Sequence, residues 1–424
     1  MDHYFRRVID AQLDQLAPVL SAILLDGPKG VGKTATALRR AKSVRRLDRP
    51  AERAIAEADP DTVIEGEPPV LLDEWQRAPS VWDAVKRAVD EDGSGGRFLL
   101  TGSAPGVGAP THSGAGRITT LRMRPMTLPE RGLSVPSVSL SQLLTNPTTS
   151  VSGHSSMRLV DYVDAILASG FPGFLGLPKV ALPIQLDGYI DRIVERDVPE
   201  AGLAVRRPAT LRAWLAAYSA ATATTTQWEK IRNAAPPGHG QKPARSTVDP
   251  YIDVLRNLRI IDELPAWVPS YNHLRQLGMA AKHHLADPAL AARLIGVGRA
   301  QLIAGLGAEE WVSRDGPFLG ALFESLTAMS VRVFAQACQA RASHLRTRDG
   351  RNEVDIIIES DNHAIAAIEV KLSAAITDAD VRHLHWLRQR LGTQLVNPVV
   401  INTGPRAYRR TDGVAVVPLA LLGQ

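Results

Sequence analysis

The sequence predicts an α/β fold of two or three domains, because 424 residues exceed the size of one ordinary core. In the first part, short apolar strands alternate with helical stretches, which is typical of a parallel sheet with helices on both faces; the predicted strands are 22–25, 43–47, 70–72 and 98–100. Helical periodicity then extends from residue 157 to about residue 275. The last hundred residues return to a mixed pattern, with predicted strands 354–358, 364–370 and 398–401 and predicted helices 318–334 and 378–391.

The composition is that of a soluble globular protein, with 45% hydrophobic, 5% aromatic and 22% charged residues. Cys338 is the single cysteine and lies in an apolar helical stretch, so an internal disulfide is excluded and a reducing compartment is favoured. The first residues contain no apolar run followed by a cleavage site, and we found no apolar stretch of membrane-spanning length. These observations predict a cytoplasmic protein that does not contact a membrane.

Basic residues are concentrated in the middle of the chain. The whole chain has a formal charge of +5, but residues 203–260 alone contain nine basic and three acidic residues. Within this segment a helix, a turn, a second helix capped by Ser246 or Thr247 and a short hairpin follow one another, which is the order of a winged helix-turn-helix. Two interpretations fit this segment: a domain that binds nucleic acid, with DNA favoured over RNA, and a protein interaction module.

A glycine-bearing loop between a strand and a helix predicts an ATP site. This phosphate-binding loop, or P-loop, has the residues Gly27-Pro28-Lys29-Gly30-Val31-Gly32-Lys33-Thr34. The glycines allow successive backbone N–H groups to turn toward phosphates. Lys33 then reaches the terminal phosphates, and Thr34 offers a hydroxyl to Mg²⁺. The alternative interpretation is a Gly-rich turn with a surface lysine, but the strand, loop and helix context favours the ATP site.

A second apolar strand ends in two acids, Asp73 and Glu74, about forty residues after the loop. We expect Asp73 to hold the magnesium ion, directly or through water. Glu74 is then the general base for the attacking water. Such acids are common at solvated strand ends, so this pair is informative because it accompanies the glycine-bearing loop.

Hydroxyl side chains follow the strand 98–100, where Thr101 or Ser103 is a candidate to contact the γ-phosphate of ATP; an ordinary turn after the strand is the alternative. Arg117 is a candidate to neutralise charge in the transition state, in its own subunit or in a neighbour of a homo-oligomer. A plain surface arginine is the other interpretation of Arg117.

Taken together, the motifs resemble a large prokaryotic family of AAA-type P-loop ATPases whose C-terminal half has no assigned function and ends in a nuclease-like fold. The matching pieces of the first half are the P-loop, Leu47-Asp48, Asp73-Glu74-Trp75-Gln76-Arg77-Ala78-Pro79, Leu100-Thr101-Gly102-Ser103, Gly116-Arg117-Ile118 and Arg124-Pro125-Met126-Thr127-Leu128-Pro129-Glu130. Those of the second half are Ser169-Gly170-Phe171-Pro172, Tyr189-Ile190-Asp191-Arg192-Ile193-Val194-Glu195-Arg196-Asp197-Val198, Glu353-Val354-Asp355 and Ile368-Glu369-Val370-Lys371. They follow one another over nearly the whole chain.

The C-terminal hairpin carries Asp355 on one strand and Glu369 and Lys371 on the next, the last two on one face of their strand. This arrangement resembles the PD-(D/E)xK nuclease core, in which two carboxylates bind a divalent metal and the lysine activates water. Glu324, on the preceding helix, matches the helical acid of such sites. The resemblance implies a Mg²⁺ or Mn²⁺ site made by Glu324, Asp355 and Glu369; the alternative is an interaction domain that does not cleave.

These observations divide the chain into an ATPase domain (1–135), a Pro-, Ser- and Thr-rich linker or mobile loop (136–156), a helical and winged-helix region (157–300) and a PD-(D/E)xK nuclease-like domain (301–424). The favoured function is an ATPase coupled to nucleic-acid binding, with metal-dependent cleavage as a further candidate. The second hypothesis is a nucleotide-switched regulator that grips a protein partner, as in a stress or toxin–antitoxin setting.

Overall fold

The N-terminal part is built on a five-stranded parallel sheet in the order β2-β3-β4-β1-β5. A computed structural model of the protein describes residues 4–102, 116–235, 244–268, 279–304, 316–347 and 349–424. The strands are β1 (Ala22–Asp26), β2 (Ser43–Arg46), β3 (Val70–Asp73), β4 (Phe98–Gly102) and β5 (Ile118–Arg122). The helices around them are α1 (Val8–Leu16), α2 (Lys33–Leu38), α3 (Pro50–Ala58), α4 (Pro60–Val63) and α5 (Ser80–Glu91).

The four strands predicted in this part are confirmed, and their side chains explain the two covered faces. Ile23 and Leu25 belong to one apolar cluster, whereas Ala22 belongs to a second cluster on the other side of the sheet. Because successive side chains of a strand point to opposite faces, both faces of β1 are covered. β5 was not predicted, because its residues include Thr119 and Thr120 and only Ile118 and Leu121 are buried.

The middle part is helical, as predicted. Its helices are α7 (Leu159–Leu167), α8 (Ala181–Arg192), α9 (Val198–Glu200), α10 (Pro208–Ala220), α11 (Trp228–Ala234), α12 (Arg245–Asn257), α13 (Pro288–Ile295) and α14 (Arg299–Ile303). A π-helical turn, Ile193–Asp197, joins α8 to α9 without a break. After α12, two extended segments pair antiparallel at Ile261 with Leu285 and at Leu264 with Lys282. The order of helices and hairpin is therefore the predicted one, but the predicted cap was wrong, since α12 begins at Arg245 and Ser246 and Thr247 lie inside it. The winged-helix assignment itself stays a prediction.

A seven-stranded sheet forms the C-terminal part, in the order β7 (Gly153–His154), β12, β13, β11, β10, β9 and β8. Its strands include β8 (Arg341–Arg346), β9 (Glu353–Glu359), β10 (Ile365–Val370), β11 (Leu395–Asn402), β12 (Arg406–Arg409) and β13 (Ala415–Pro418). Two helices accompany the sheet, α15 (Gly316–Ala337) and α16 (Asp378–Leu391). The strands β10, β11 and β13 run parallel, whereas β8 and β9 pair antiparallel beside β10. The three predicted strands and both predicted helices are confirmed.

The prediction that residues 136–156 form a linker or mobile loop was wrong. We call this segment the arm. It contains β6 (Val138–Ser139), α6 (Leu140–Thr145) and β7 (Gly153–His154). β6 pairs with β14 (Leu422–Gly423), and β7 pairs with β12 at the edge of the C-terminal sheet. The segment was expected to have too few apolar residues to form an element, but Leu140, Leu143 and Leu144 are all buried in the main core. The arm thus belongs to the C-terminal part of the molecule.

Among the helices of the described residues one, α15, is long and apolar enough to cross a membrane by length and composition alone, contrary to our expectation from the sequence. In the structure 67% of its most apolar window is buried inside the protein. Leu322, Phe323 and Val331 lie in the main core, as a central helix of a folded domain requires.

Asp262 joins the three parts of the chain. This buried carboxylate, just after α12, lies 3.0 Å from Arg122, 2.9 Å from Arg124 and 2.8 Å from Arg332 of α15. Burial by itself raises the pKa of Asp262, but the three guanidinium groups outweigh it and hold the pKa far below its usual range. The end of β5, the hairpin and α15 are therefore held together by one charged junction.

We predict that Leu143→Ala lowers the free energy of unfolding by roughly 2–5 kcal/mol, because a fully buried leucine of the arm is replaced by a cavity. The matched control is Val135→Ala, at a side chain that is 83% exposed. Urea unfolding of both variants checks the prediction. Equal midpoints for the two variants would show that the arm is not packed as described.

Candidate functional site

The P-loop leaves the sheet at the end of β1 and enters α2 at Lys33. Gly30 and Gly32 have φ angles of 77° and 103°, in the left-handed region that suits glycine. The ammonium of Lys33 donates hydrogen bonds to the carbonyl oxygens of Gly27 and Pro28, at 2.7 and 3.0 Å. The predicted strand, loop and helix therefore have the local geometry of a phosphate-binding loop.

Neighbouring backbone holds the loop from behind. A Cβ atom on Gly27 would lie 2.4 Å from the carbonyl oxygen of Met123, so only glycine fits this close approach. On the other side, Arg7 donates to the carbonyl oxygens of Val31 at 2.8 Å and Arg124 at 2.6 Å, and its side chain also pairs with Glu130 at 3.0 Å. The motif residues Arg124 and Glu130 thus hold Arg7, which in turn contacts the loop at Val31.

The acids predicted to complete the site lie at the same edge of the sheet. Thr34 donates a hydrogen bond from its hydroxyl to a carboxylate oxygen of Asp73, at 2.7 Å. Hydroxyl and carboxylate oxygens are suitable ligands for Mg²⁺, and these two side chains already converge. The pair therefore fits the predicted magnesium ligands.

Thr101 donates to the same oxygen of Asp73 and is fully buried, so its hydroxyl positions Asp73. Ser103, the alternative γ-phosphate contact, lies outside the described residues. The structure thus places the Thr101 hydroxyl against the carboxylate of Asp73.

Glu74 has a left-handed backbone, with a φ angle of 58°, which turns the chain directly after β3. Gln76 donates a hydrogen bond from its amide nitrogen to the Glu74 carboxylate at 2.7 Å and so fixes its orientation. Burial lowers the pKa of Lys33 to about 8, although the nearby carboxylates of Glu74 and Asp26 act in the opposite direction. A lysine with this pKa and these neighbours is poised to gain from a polyanionic ligand.

A helical segment of the middle region covers the loop, which the sequence analysis did not foresee. Lys29 pairs with Asp197 at 2.6 Å and with Glu200 at 3.2 Å. Tyr189 donates from its hydroxyl to the carbonyl oxygen of Lys29 at 2.9 Å. Glu200 also pairs with Arg77, three residues after Glu74, at 2.9 Å. The segment of α8, the π-helical turn and α9, here called the clamp helix, contacts both halves of the candidate ATP site.

The signal for the clamp helix was present in the motif Tyr189–Val198, but pattern alone could not say what these side chains touch. A further contact of the site also escaped the sequence analysis: Arg259, whose φ angle is 62°, pairs at 2.7 Å with Asp26, the residue just before the loop. The middle region therefore contacts the ATP site at two separate places.

Arg117 lies at the end of the strands opposite to the end that carries the P-loop. It precedes Ile118, which is aligned with the first residue of β1, whereas the loop follows the last residue. Its guanidinium pairs with Asp90 at 2.6 Å. Within one subunit Arg117 is therefore not beside the phosphate-binding loop, and a role at the site of a neighbouring subunit in a homo-oligomer stays a prediction.

The predicted metal-binding acids of the C-terminal part are close together, but a lysine lies among them. Lys282, from the hairpin after α12, pairs with Glu324 at 2.7 Å and with Asp355 at 2.9 Å. Lys371 pairs with Glu369 at 3.1 Å. Burial raises the pKa of Glu324 to about 8, and the Asp355 carboxylate adds to this effect. Among the described residues, no group of three potential ligands is arranged to hold a metal ion.

Many basic side chains of the segment 203–260 are paired with carboxylates in the structure, so they provide less unpaired positive charge than the sequence suggested. Of its eight described basic residues, five are paired with carboxylates: Arg212, Arg232, Arg245, Arg256 and Arg259. Between α11 and α12 lies an open cleft of about 410 Å³, lined by Trp228, Arg232, Arg245 and Arg256 together with acidic residues. The cleft therefore has mixed charge.

Comparison with known proteins finds three domain families along the chain. The AAA domain family matches residues 20–131, the domain of unknown function DUF8612 matches residues 159–301, and the domain of unknown function DUF4143 matches residues 319–422. The AAA match agrees with the P-loop geometry and supports an AAA-type ATP-binding domain.

Two curated relatives are uncharacterized proteins of Mycobacterium tuberculosis and Mycobacterium bovis, each 25% identical over 301 residues, or 69% of this chain. The match spans 60% of the length of each relative. Among solved structures, a Walker-type ATPase of Pyrococcus abyssi aligns with 16% identity and a TM-score of 0.38, over 69% of this chain and 96% of that one. The match to the AAA domain family, together with the loop geometry, supports a P-loop ATPase domain of the AAA type in residues 20–131.

Proposed function

We propose that this chain hydrolyses ATP with the help of Mg²⁺ and passes the state of the nucleotide to its middle region. The observation that carries the proposal is the convergence of the P-loop, Asp73 and Glu74 at one edge of the parallel sheet. In open α/β sheets, this carboxyl edge is where ligands bind.

The residues have separable roles in hydrolysis. Lys33 exchanges its contacts with two loop carbonyls for the terminal phosphates, whose negative charge it neutralises. Glu74 accepts a proton from water as the water oxygen bonds to the γ-phosphorus and the bond from phosphorus to the ADP oxygen breaks. Thr34 and Asp73 would hold Mg²⁺, which when bound supplies positive charge to the phosphate oxygens.

Lys29 gives the nucleotide a route to the clamp helix. Its ammonium is paired with Asp197 and Glu200, yet it belongs to a loop that presents its groups to phosphates. The Lys29 side chain is 20% exposed, so a phosphate can compete for it. When ATP attracts Lys29, two acids of the clamp helix lose one partner each: Asp197 retains Arg192 at 3.5 Å, and Glu200 retains Arg77 at 2.9 Å.

The middle region is the candidate for binding nucleic acid. Exposed basic side chains on α11 and α12, such as Lys230 and Arg245, can contact phosphates, and the helix and hairpin order suits a winged helix. DNA is the favoured ligand of such a fold. This candidate function predicts binding that weakens steeply with salt.

A second candidate function, a nucleotide-switched regulator that grips a protein partner, is favoured by two observations. Most described basic residues of the segment 203–260 already have acidic partners, so fewer charges are available for phosphates. Metal-dependent cleavage by the C-terminal part would also require Glu324 and Asp355 to release Lys282. In this version, the C-terminal part serves as an interaction module.

We predict that Lys33→Ala abolishes ATP binding, whereas Glu74→Gln retains binding and slows hydrolysis by roughly 10²- to 10⁴-fold, because the amide keeps size and polarity but cannot accept the proton. Fluorescent-nucleotide titration and phosphate release measure the two effects. Glu91→Gln, at an exposed position on α5, is the control and should hydrolyse ATP normally. Equal rates for Glu74→Gln and wild type would remove Glu74 from the role of base.

We predict that Asp197→Asn increases the affinity for ATP several-fold, because Lys29 no longer has to leave a buried carboxylate. Nucleotide titration measures the affinity, and hydrogen exchange of the clamp helix should become less sensitive to ATP. Asp191→Asn, on the same helix but paired with Arg212 at the surface, is the matched control. Weaker ATP binding by Asp197→Asn alone would contradict the competition.

If the middle region binds DNA, we expect the double variant Lys230→Glu and Arg245→Glu to bind more weakly and with a shallower salt dependence, since each lost phosphate contact reduces the slope of log K against log salt by about 0.9. Fluorescence anisotropy with a duplex at several salt concentrations tests this. Arg158→Glu with Lys179→Glu makes the same charge change at other exposed sites. Identical binding by both double variants at every salt concentration would favour the protein-partner function.

A further inference from the structure

Lys282 is the most deeply buried charged group of the C-terminal acid cluster, with 1% of its side chain exposed. It comes from the hairpin of the middle region, where its backbone N–H and carbonyl both bond to Leu264 at 2.9 Å. Its side chain crosses to the C-terminal part and enters the cluster formed by α15 and β9. The cluster is therefore completed by a residue from outside its own sheet.

The ammonium of Lys282 has three N–H donors, and three carboxylate oxygens surround it. The distances from Nζ are 2.7 Å to Glu324, 2.9 Å to Glu353 and 2.9 Å to Asp355. A buried ammonium is costly unless each donor is satisfied by a partner of opposite charge. Here the number and distances of the partners meet that requirement.

Two of these carboxylates, Glu324 and Asp355, are among those that the sequence predicted as ligands of a divalent cation. The second oxygen of Asp355 accepts a hydrogen bond from the Val370 backbone N–H at 2.9 Å, which leaves its first oxygen for Lys282. Glu369 is 4% exposed at its side chain, and within the described part of the chain its Oε1 has no hydrogen-bond partner. Glu369 is on β10, the strand that pairs with β9, so a second acid lies next to the strand that carries Asp355.

We propose that Lys282 is a built-in cation that takes the place of a divalent metal ion in this cluster and fastens the hairpin of the middle region to the C-terminal sheet. The wild-type cluster therefore binds no divalent ion. Removing the ammonium leaves the oxygens of Glu324, Glu353 and Asp355, which surround it, free to move onto Mn²⁺ or Mg²⁺, for which carboxylates are hard ligands. This role does not depend on ATP hydrolysis.

The test uses the full chain without nucleotide and compares wild type, Lys282→Met, and Lys282→Met combined with Asp355→Asn. Methionine keeps the unbranched stem and removes the charge. Thermal unfolding at increasing Mn²⁺, and the loss of the free Mn²⁺ signal in electron paramagnetic resonance, report stability and binding. Lys42→Met, at an exposed lysine paired with Glu67, is the control for loss of a lysine at the surface.

We expect Lys282→Met to unfold at a lower temperature than wild type and to recover as Mn²⁺ is added, because a ligand that binds only the folded state stabilises it. Adding Asp355→Asn should abolish the recovery. Hydrogen exchange at the Leu264 amide should rise in Lys282→Met and fall again with Mn²⁺, which reports on the fastening of the hairpin.

Three results would overturn the proposal. The first is Mn²⁺ binding by wild type that Asp355→Asn removes, a measurement that remains valid even where Lys282→Met does not fold. The second is a Lys282→Met protein as stable as wild type. The third is a destabilised Lys282→Met protein that neither binds Mn²⁺ nor recovers with it.

Discussion

The buried carboxylate of Asp262 is the contact on which the arrangement of the whole chain depends. A charge removed from water needs compensation, and here it comes from arginines on the segment after β5, at the end of β5 and on α15. The two arginines of the N-terminal part flank Met123, whose carbonyl oxygen closely approaches Gly27. The shape of the phosphate-binding loop and the packing of the three parts are therefore set by the same few residues.

Two lysines link parts of the chain, and their burial separates their roles. Lys29 holds two acids of the clamp helix but keeps part of its side chain in solvent, so an incoming anion can reach it. Lys282 has three acidic partners and almost no exposure, so exchange of its partners requires the hairpin to move. The first pairing suits a contact that changes with the ligand, whereas the second suits a permanent fastening.

Local patterns predicted the parallel sheet, the P-loop, and the adjacency of Thr34 and Asp73, because strand period and loop glycines are encoded by neighbouring residues. Contacts between distant residues could not be read in this way. Asp197 lies far along the chain from Lys29, and Lys282 lacked any motif, so neither partner was identified. The arm was also missed, since its short elements depend on pairing with β12 and β14.

The arm also makes the C-terminal part discontinuous in sequence, with the helical middle region inserted between its two pieces. During synthesis β6 has no partner until β14 has been made, and this pairing of remote segments is the kind that slows folding. A fragment cut at residue 301 would lack α6 and the edge strand β7, and its core would expose the surface that Leu140 and Leu143 cover. Laboratory dissection of this protein therefore has to keep residues 136–156 attached to the C-terminal piece.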